Sequence, residues 1–193
     1  NSFTQANEII YELSKLENKL RSRKTKFRTY TPESRTATMV IGGKVKGGEK
    51  ENIVPDKTIF SIDRRILPEE KIDNVRKEII DVIRKVQRKK HMHIAIHELH
   101  KVAASITNKN EMLCKIFKRS VEKIKGKKQE LYLAPGYMDL SYFVRIGIPC
   151  IVYGCNGMNA HGDDEFVYVS SIESNIRVLV QFLIDVQENA NRM

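Results

Sequence analysis

The chain has no stretch approaching the ~18 consecutive apolar residues that a helix needs to cross a bilayer, and no basic start followed by a short apolar run of the kind a secretory leader carries. No membrane partner is expected. Cysteine is scarce: Cys114, Cys150 and Cys155 are the only three. Their odd number and their spacing fit neither a disulfide framework nor a CxxC zinc site, so a reducing compartment, the cytoplasm, is the expected location. The glycine-rich signatures GxGxxG, the P-loop and GxSxG are missing, which removes the usual phosphate cradles and nucleophile elbow. Gly42-Gly43 and Gly47-Gly48 are too short to replace them. Nor is there the aromatic-rich strand pair on which an RNA-recognition sheet stacks bases. No internal repeat or low-complexity segment is visible.

What the chain does have is basic charge. The 193 residues carry a formal net charge of +10, and most of it lies early: residues 1–100 hold 22 Lys and Arg against 14 Asp and Glu, whereas residues 101–193 hold 12 against 10. The excess concentrates in residues 21–28 and 84–90. A basic nucleic-acid-binding protein is one reading of such a field. The simpler reading is that both runs close helices, where cations suit the macrodipole, and nucleic acid is not the expected partner.

Hydrophobic periodicity then divides the chain. Residues 4–20 repeat apolar positions at helical spacing through Ala6, Ile9, Leu13, Leu16 and Leu20. Residues 36–45 and 57–66 alternate as strands, with Gly42-Gly43 marking a bulge in the first. Pro68-Glu69-Glu70 reads as the first turn of a second helix carrying Ile72, Val75, Ile79, Val82, Ile83 and Val86. Residues 91–99 alternate again, with His91, His93 and His97 on one face and Met92, Ile94 and Ile96 on the other; an exposed face is the simpler account of the histidines than a metal site. The order helix, strand, strand, helix, strand lacks one leading strand of a ferredoxin-like βαββαβ unit. That absence, with Asn1 as the first residue, suggests a chain that starts late.

Beyond residue 101 the pattern changes. Residues 110–125 read as a helix and 130–133 as a short strand. Residues 140–146 form a short helix ended by Gly147, and 149–153 an apolar strand buried on both faces. Ser170-Ser171-Ile172-Glu173 reads as a capping box opening a last helix with Ile176, Leu179, Val180, Leu183 and Ile184 inward. The expected class is α/β (α+β).

Chemistry concentrates in three places. Gly154 to Glu165 is a polar loop directly after an apolar strand, where open α/β sheets place ligands. It holds His161, suited to ligation or proton transfer, with Asp163, Asp164 and Glu165 close behind. Asp63-Arg64-Arg65 puts Asp63 and Arg65 on one strand face, and a guanidinium fork suits a carboxylate; an ordinary ion pair is the plainer alternative. Asn52-Ile53-Val54-Pro55 precedes a strand, but its chemistry alone marks nothing.

Taken in register, these pieces resemble the M20 family of co-catalytic zinc peptidases and deacylases. Asn52-Ile53-Val54-Pro55 with Ile62-Asp63-Arg64-Arg65 is similar to the family's lid motifs. Pro135-Gly136-Tyr137-Met138-Asp139 with Gly147-Ile148-Pro149 is similar to its Gly-x-x-Asp helix start and Gly-Ile-Pro strand entry. Tyr153-Gly154 followed by His161-Gly162-Asp163-Asp164-Glu165 is similar to its C-terminal Gly…His-x-x-x-Glu loop.

The resemblance implies a ferredoxin-like lid and dimerisation domain over residues 1–100, without its first strand, and the closing part of an α/β zinc-peptidase catalytic domain over 101–193. It implies a metal-ligand role for His161 and substrate contacts from Arg65, Asn52 and Gly136. Asp139 and Glu165 would be orienting neighbours. It further implies two zinc ions (or cobalt) in the intact parent, a homodimer through the lid, and cleavage of an amide bond in an N-acyl amino acid or small peptide. The family's His-x-Asp and Glu-Glu motifs and the lid histidine, which lie ahead of the matched region, are not found here. The expectation is therefore a hydrolytic parent and an inactive stretch in isolation. A non-catalytic dimerisation or regulatory module is the alternative from another class. Met138 and Ser141 replace the family's usual Thr/Ser and Arg, which leaves the substrate open.

Overall fold

The computed structural model describes residues 1–191. It divides into two compact units, Asn1–Ala104 and Ser105–Met193, each described by itself. Both mix helices with small antiparallel sheets, an α+β arrangement.

The first unit opens with α1 (Ser2–Leu20), capped by the Asn1 side chain, which accepts from the Phe3 and Thr4 amides. The predicted apolar stripe is the buried one: Ala6, Ile9, Leu13 and Leu20 face inward. A loop tied by the Lys24–Thr36 bridge leads to β1 (Thr38–Gly47), which pairs antiparallel with β2 (Thr58–Arg65). The register shifts between Ile41 and Val45, where Gly42 takes a φ of 78°. The bulge expected at the glycine pair is therefore present, with Gly42 in the left-handed region that a Cβ disfavours.

The second helix, α2 (Ile72–Lys90), begins later than expected. Pro68-Glu69-Glu70 forms a turn instead, because its carboxylates have partners elsewhere. Glu69 accepts from the Thr25 hydroxyl at 2.9 Å and the Lys26 amide at 2.8 Å. Glu70 accepts from the Leu67 amide at 2.8 Å and pairs with Arg64 at 2.6 Å and Arg23 at 3.0 Å. Arg23 also reaches Glu78 at 2.6 Å. The basic run that follows α1 is thus partly consumed in fastening its loop to α2. Ile9, Leu13, Met39, Ile83 and Val86 centre the core of this unit.

Residues 91–99 correct one expectation. His91 adopts φ 53° as the left-handed C-cap of α2, and the segment after it joins no described ladder. Met92 and Ile94 still pack into the core. Alternation reported a buried face, and pairing needs a second strand.

In the second unit, α3 (Met112–Lys125) packs against α5 (Val169–Ala190). Between them lie α4 (Leu140–Arg145) and a minimal hairpin of β3 (Gly157–Met158) and β4 (Phe166–Val167). Gly147, at φ 87°, ends α4: its amide reaches the Val144 carbonyl and the Ile148 amide the Phe143 carbonyl, as the sequence suggested. Residues 130–133 and 149–153 are not strands. Ile151 and Tyr153 pack on Phe117, Val121 and Val178, but Val152 is 52% exposed, so only one face of the segment is covered.

The start of α5 is also different. Its N-cap is Tyr168 without a side-chain cap. Ser171 instead donates to the Tyr168 carbonyl at 2.7 Å and accepts from the Asn156 amide at 3.1 Å, anchoring the hairpin. The inward residues of α5 are Ser171, Asn175, Val178 and Asp185. Ile176, Leu179, Val180, Leu183 and Ile184, expected inside, are all exposed.

Candidate functional site

The loop after residue 153 is positioned by the β3–β4 hairpin, in which Gly157 faces Val167 and Met158 faces Phe166. A side chain at 157 cannot be fitted: a Cβ there would lie 2.1 Å from the Phe166 carbonyl oxygen. The Tyr168 amide donates to the Asn156 carbonyl at 2.9 Å and closes the base. The connecting residues turn sharply, with Asn159, His161 and Asp164 all at positive φ (58°, 64° and 56°). Asn and Asp tolerate this region better than most residues, and such backbone often marks a working loop.

His161 is exposed on that turn. Its amide donates to Glu165 Oε2 at 3.2 Å, a main-chain contact that fastens the turn. The imidazole can offer a lone pair to a metal. One such donor does not make a zinc site, which takes three or so protein ligands. Among the described residues no group of three or more His, Cys, Asp or Glu is arranged to hold a metal. The residues present therefore do not by themselves fit zinc.

Asp139 stands at the N-cap of α4 and makes no side-chain cap bond. Gly136, three residues earlier, has φ 94° with open space where a Cβ would be, so its requirement is conformational. Beside it is a cluster the sequence reading passed over. The Tyr137 and Tyr142 rings meet edge to face at 6.2 Å, and Arg145 lies 4.7 Å from the centre of the Tyr142 ring. The hydrogen bond with Tyr142, aided by desolvation, lifts the Tyr137 hydroxyl above the usual phenol range. The i,i+3 spacing of Tyr142 and Arg145 on a helix was the available signal.

In the first unit, Arg65 donates Nε to Asp63 at 2.9 Å. Both side chains are more than half exposed, at 58% and 57%, so the pair adds little stability and the guanidinium sits at the surface. Its neighbour Arg64 is the structural one: only 5% exposed, it pairs with Glu70 and donates to the Arg65 carbonyl. Asn52 is exposed in the turn between β1 and β2. The main chain of this turn is secured by the Ser2 amide, which donates to the Pro55 carbonyl at 2.9 Å. Arg65 and Asn52 belong to the first unit, and His161, Glu165, Asp139 and Gly136 to the second.

Comparison with known proteins agrees with these elements. Residues 1–91 match the peptidase dimerisation domain of the M20 type. A Mycobacterium tuberculosis protein provisionally named as a succinyl-diaminopimelate desuccinylase is 27% identical over 141 residues, 72% of this chain and 36% of that protein. The chain thus spans about a third of the length of the curated relatives it matches. Two solved structures share the fold. A Bacillus cereus aminopeptidase superposes with a TM-score of 0.64 at 21% identity, covering 78% of this chain and 40% of that one. An M20 family metallo-carboxypeptidase from Sulfolobus solfataricus gives 0.60 at 18% identity, covering 91% and 43%. Residues 1–91 thus match the M20-type peptidase dimerisation domain, and the chain shares its fold with the two solved peptidases.

Proposed function

We propose that this chain is part of a zinc-dependent hydrolase that cleaves an amide bond in an N-acyl amino acid or small peptide, and that it is inactive in isolation. The observation that carries this reading is the loop of residues 159–165, a hairpin tip in strained backbone presenting the His161 ring, in a chain that shares its fold with an M20 peptidase. In the intact parent His161 supplies one metal ligand, with Glu165 and Asp139 steadying the surroundings. Arg65 meets a substrate carboxylate through its planar fork, while Asn52 and Gly136 border the substrate. Residues 1–100 act as the lid through which two copies pair, and residues 101–193 close the catalytic domain. The compartment is the cytoplasm; among the described residues no helix is long and apolar enough to cross a membrane.

Zinc would acidify a bound water toward neutral pH, but the ligands to complete its site are not among the described residues of this chain. The test is therefore made at two levels. The intact parent should hydrolyse N-acyl amino acids or dipeptides with zinc bound, and His161→Ala should strip bound zinc measured by elemental analysis; unchanged metal content would overturn the ligand assignment. The 193-residue chain with added zinc should show no turnover above blank, and measurable hydrolysis would overturn the claim of inactivity. The dimerisation match, confined to residues 1–91, favours a second reading as a pairing module without chemistry. An inactive intact parent that still dimerises would select it.

A further inference from the structure

The two basic runs of the first unit meet different fates. Arg21 and Arg23 are absorbed, the first by Glu17 and the second by Glu70 and Glu78. The run that ends α2 is not. Pairing along α2 is confined to its two sides. Toward α1, Glu78 holds Arg23 at 2.6 Å and Lys90 reaches Glu8 at 3.2 Å. On the other side, Arg76 holds Glu98 at 2.6 Å and Asp73 takes Lys101. Arg76 and Glu78 are two residues apart in sequence and so point to opposite sides of the helix.

Between those sides runs the crest of α2, turned away from buried Val75, Ile83 and Val86. Its row is Lys77, Asp81, Arg84 and Arg88, each about one turn from the next. All four are exposed, as are Lys85 and Lys89 beside them. Among the described residues none of these six joins an ion pair, and Arg84 donates to the neutral Gln87. The helix dipole explains cations in the last turn, but not Lys77, Arg84 or Lys85, which lie further back. Arg84 and Arg88 stand one turn apart, as do Lys85 and Lys89, an arrangement that weakens a helix. An oppositely charged partner relieves both repulsions.

We propose that this crest docks an acidic helix of another protein, lying lengthwise along α2 with carboxylates at the same turn spacing. Arg84 and Arg88 present planar forks that take a carboxylate by two bonds at once. Asp81, in the middle of the row, opposes a uniformly anionic surface such as a phosphate backbone or an acidic membrane, whereas a protein can set a lysine against it. The crest has no aromatic side chain for a base to stack on and no apolar one to enter a bilayer. A second copy of this chain lacks the complementary row. Glu8, Glu12 and Glu17 of α1 are taken by Lys90, Lys15 and Arg21, and α3 carries Glu122 alone. Exposed pairs are individually weak, so the contact draws its strength from their number and is sensitive to salt. The proposal is independent of the hydrolase reading.

The test measures fluorescence anisotropy with the full 193-residue chain at about 50 mM salt. The probe is a dye-labelled, alanine-rich peptide of about 16 residues, long enough to be helical. One face carries glutamates set against the cations of the crest and a lysine set against Asp81, in antiparallel register. A second peptide of the same composition scatters these charges around the helix. The ordered peptide should bind at least fivefold tighter than the scattered one, and should weaken about tenfold at roughly 500 mM salt. Arg84→Glu with Arg88→Glu should weaken it at least tenfold, and the neutral pair Arg84→Gln with Arg88→Gln about threefold, with circular dichroism unchanged. Equal binding of the two peptides, or unchanged affinity in both variants, would overturn the proposal. So would tighter binding, at the same salt, of a duplex oligonucleotide or of phosphatidylserine vesicles, which would assign the crest to phosphate.

Discussion

Two residues carry more of the second unit than their chemistry suggests. Gly157 sits where the backbone of β4 leaves no room for a side chain. Gly157→Val is expected to open the hairpin and destabilise the unit by about 1–3 kcal/mol, the usual cost of forced overpacking. Urea unfolding checks the magnitude. Loss of the slow exchange of the Tyr168 amide, which donates across the hairpin base, checks the cause. Asp185 is the other. It is 2% exposed and accepts from the Ser120 hydroxyl at 2.6 Å, from Gln181 at 3.0 Å and from Lys123. Burial is the largest influence on its carboxyl and pushes the pKa up. Lys123, Ser120 and Gln181 together outweigh it and hold the carboxyl below the ordinary aspartate value of 3.8.

A carboxyl depressed on folding stabilises the protein above its unfolded pKa and loses that contribution as pH falls through the folded value. The α3–α5 packing should therefore hold at neutral pH and weaken below about pH 4. Asp185→Ala should remove this acid-sensitive component and cost about 1–2 kcal/mol at pH 7, since the Ser120 hydroxyl falls back on the Ile116 carbonyl and the half-exposed Lys123 ammonium on water. Denaturation at pH 7 and pH 3 gives both numbers. An unchanged difference between the two pH values would show that other carboxylates dominate the acid transition.

At the scale of elements, α5 is the instructive case. Its buried face is Ser171, Asn175, Val178 and Asp185, while Leu183 and Ile176 are 67% and 57% exposed. Replacing both exposed residues by lysine should leave the unfolding free energy within about 0.5 kcal/mol, as for other surface changes, and lower the binding of a hydrophobic dye. A loss of several kcal/mol would mean that the face is covered in solution. The same helix shows where sequence reading stops. Periodicity located α1, α2 and the β1–β2 hairpin, because each buries its apolar stripe within its own unit. It located α5 but assigned its sides wrongly, since an apolar stripe records what a helix can bury and not which neighbour is present. Residues 91–99 and 149–153 alternate or run apolar like strands but have no described ladder. The β3–β4 hairpin was missed because two-residue strands are too short to show a period. The turn formers Gly157, Asn159 and Gly162 between two apolar segments were the usable clue. His161 was legible from its loop composition; that its own backbone is left-handed was not.

For the whole molecule, charge sets the conditions under which pairing should be sought. Residues 1–100 carry an excess of eight positive charges, 22 basic side chains against 14 acidic. Two such domains approaching each other repel, and at low ionic strength the repulsion reaches well beyond contact. Self-association measured by sedimentation should tighten as salt rises from about 20 to 200 mM, where the Debye length falls to roughly 7 Å. Weakening over that range would place opposite charges at the interface. Asp185 has a further consequence at this scale. Sliding α5 along α3 by one turn, about 5.4 Å, would carry the carboxylate away from Ser120 and Lys123 and part Lys125 from Ser174. The buried acid thus works with that second tie as a detent: hydrocarbon is less particular about its notch, and these polar groups favour one.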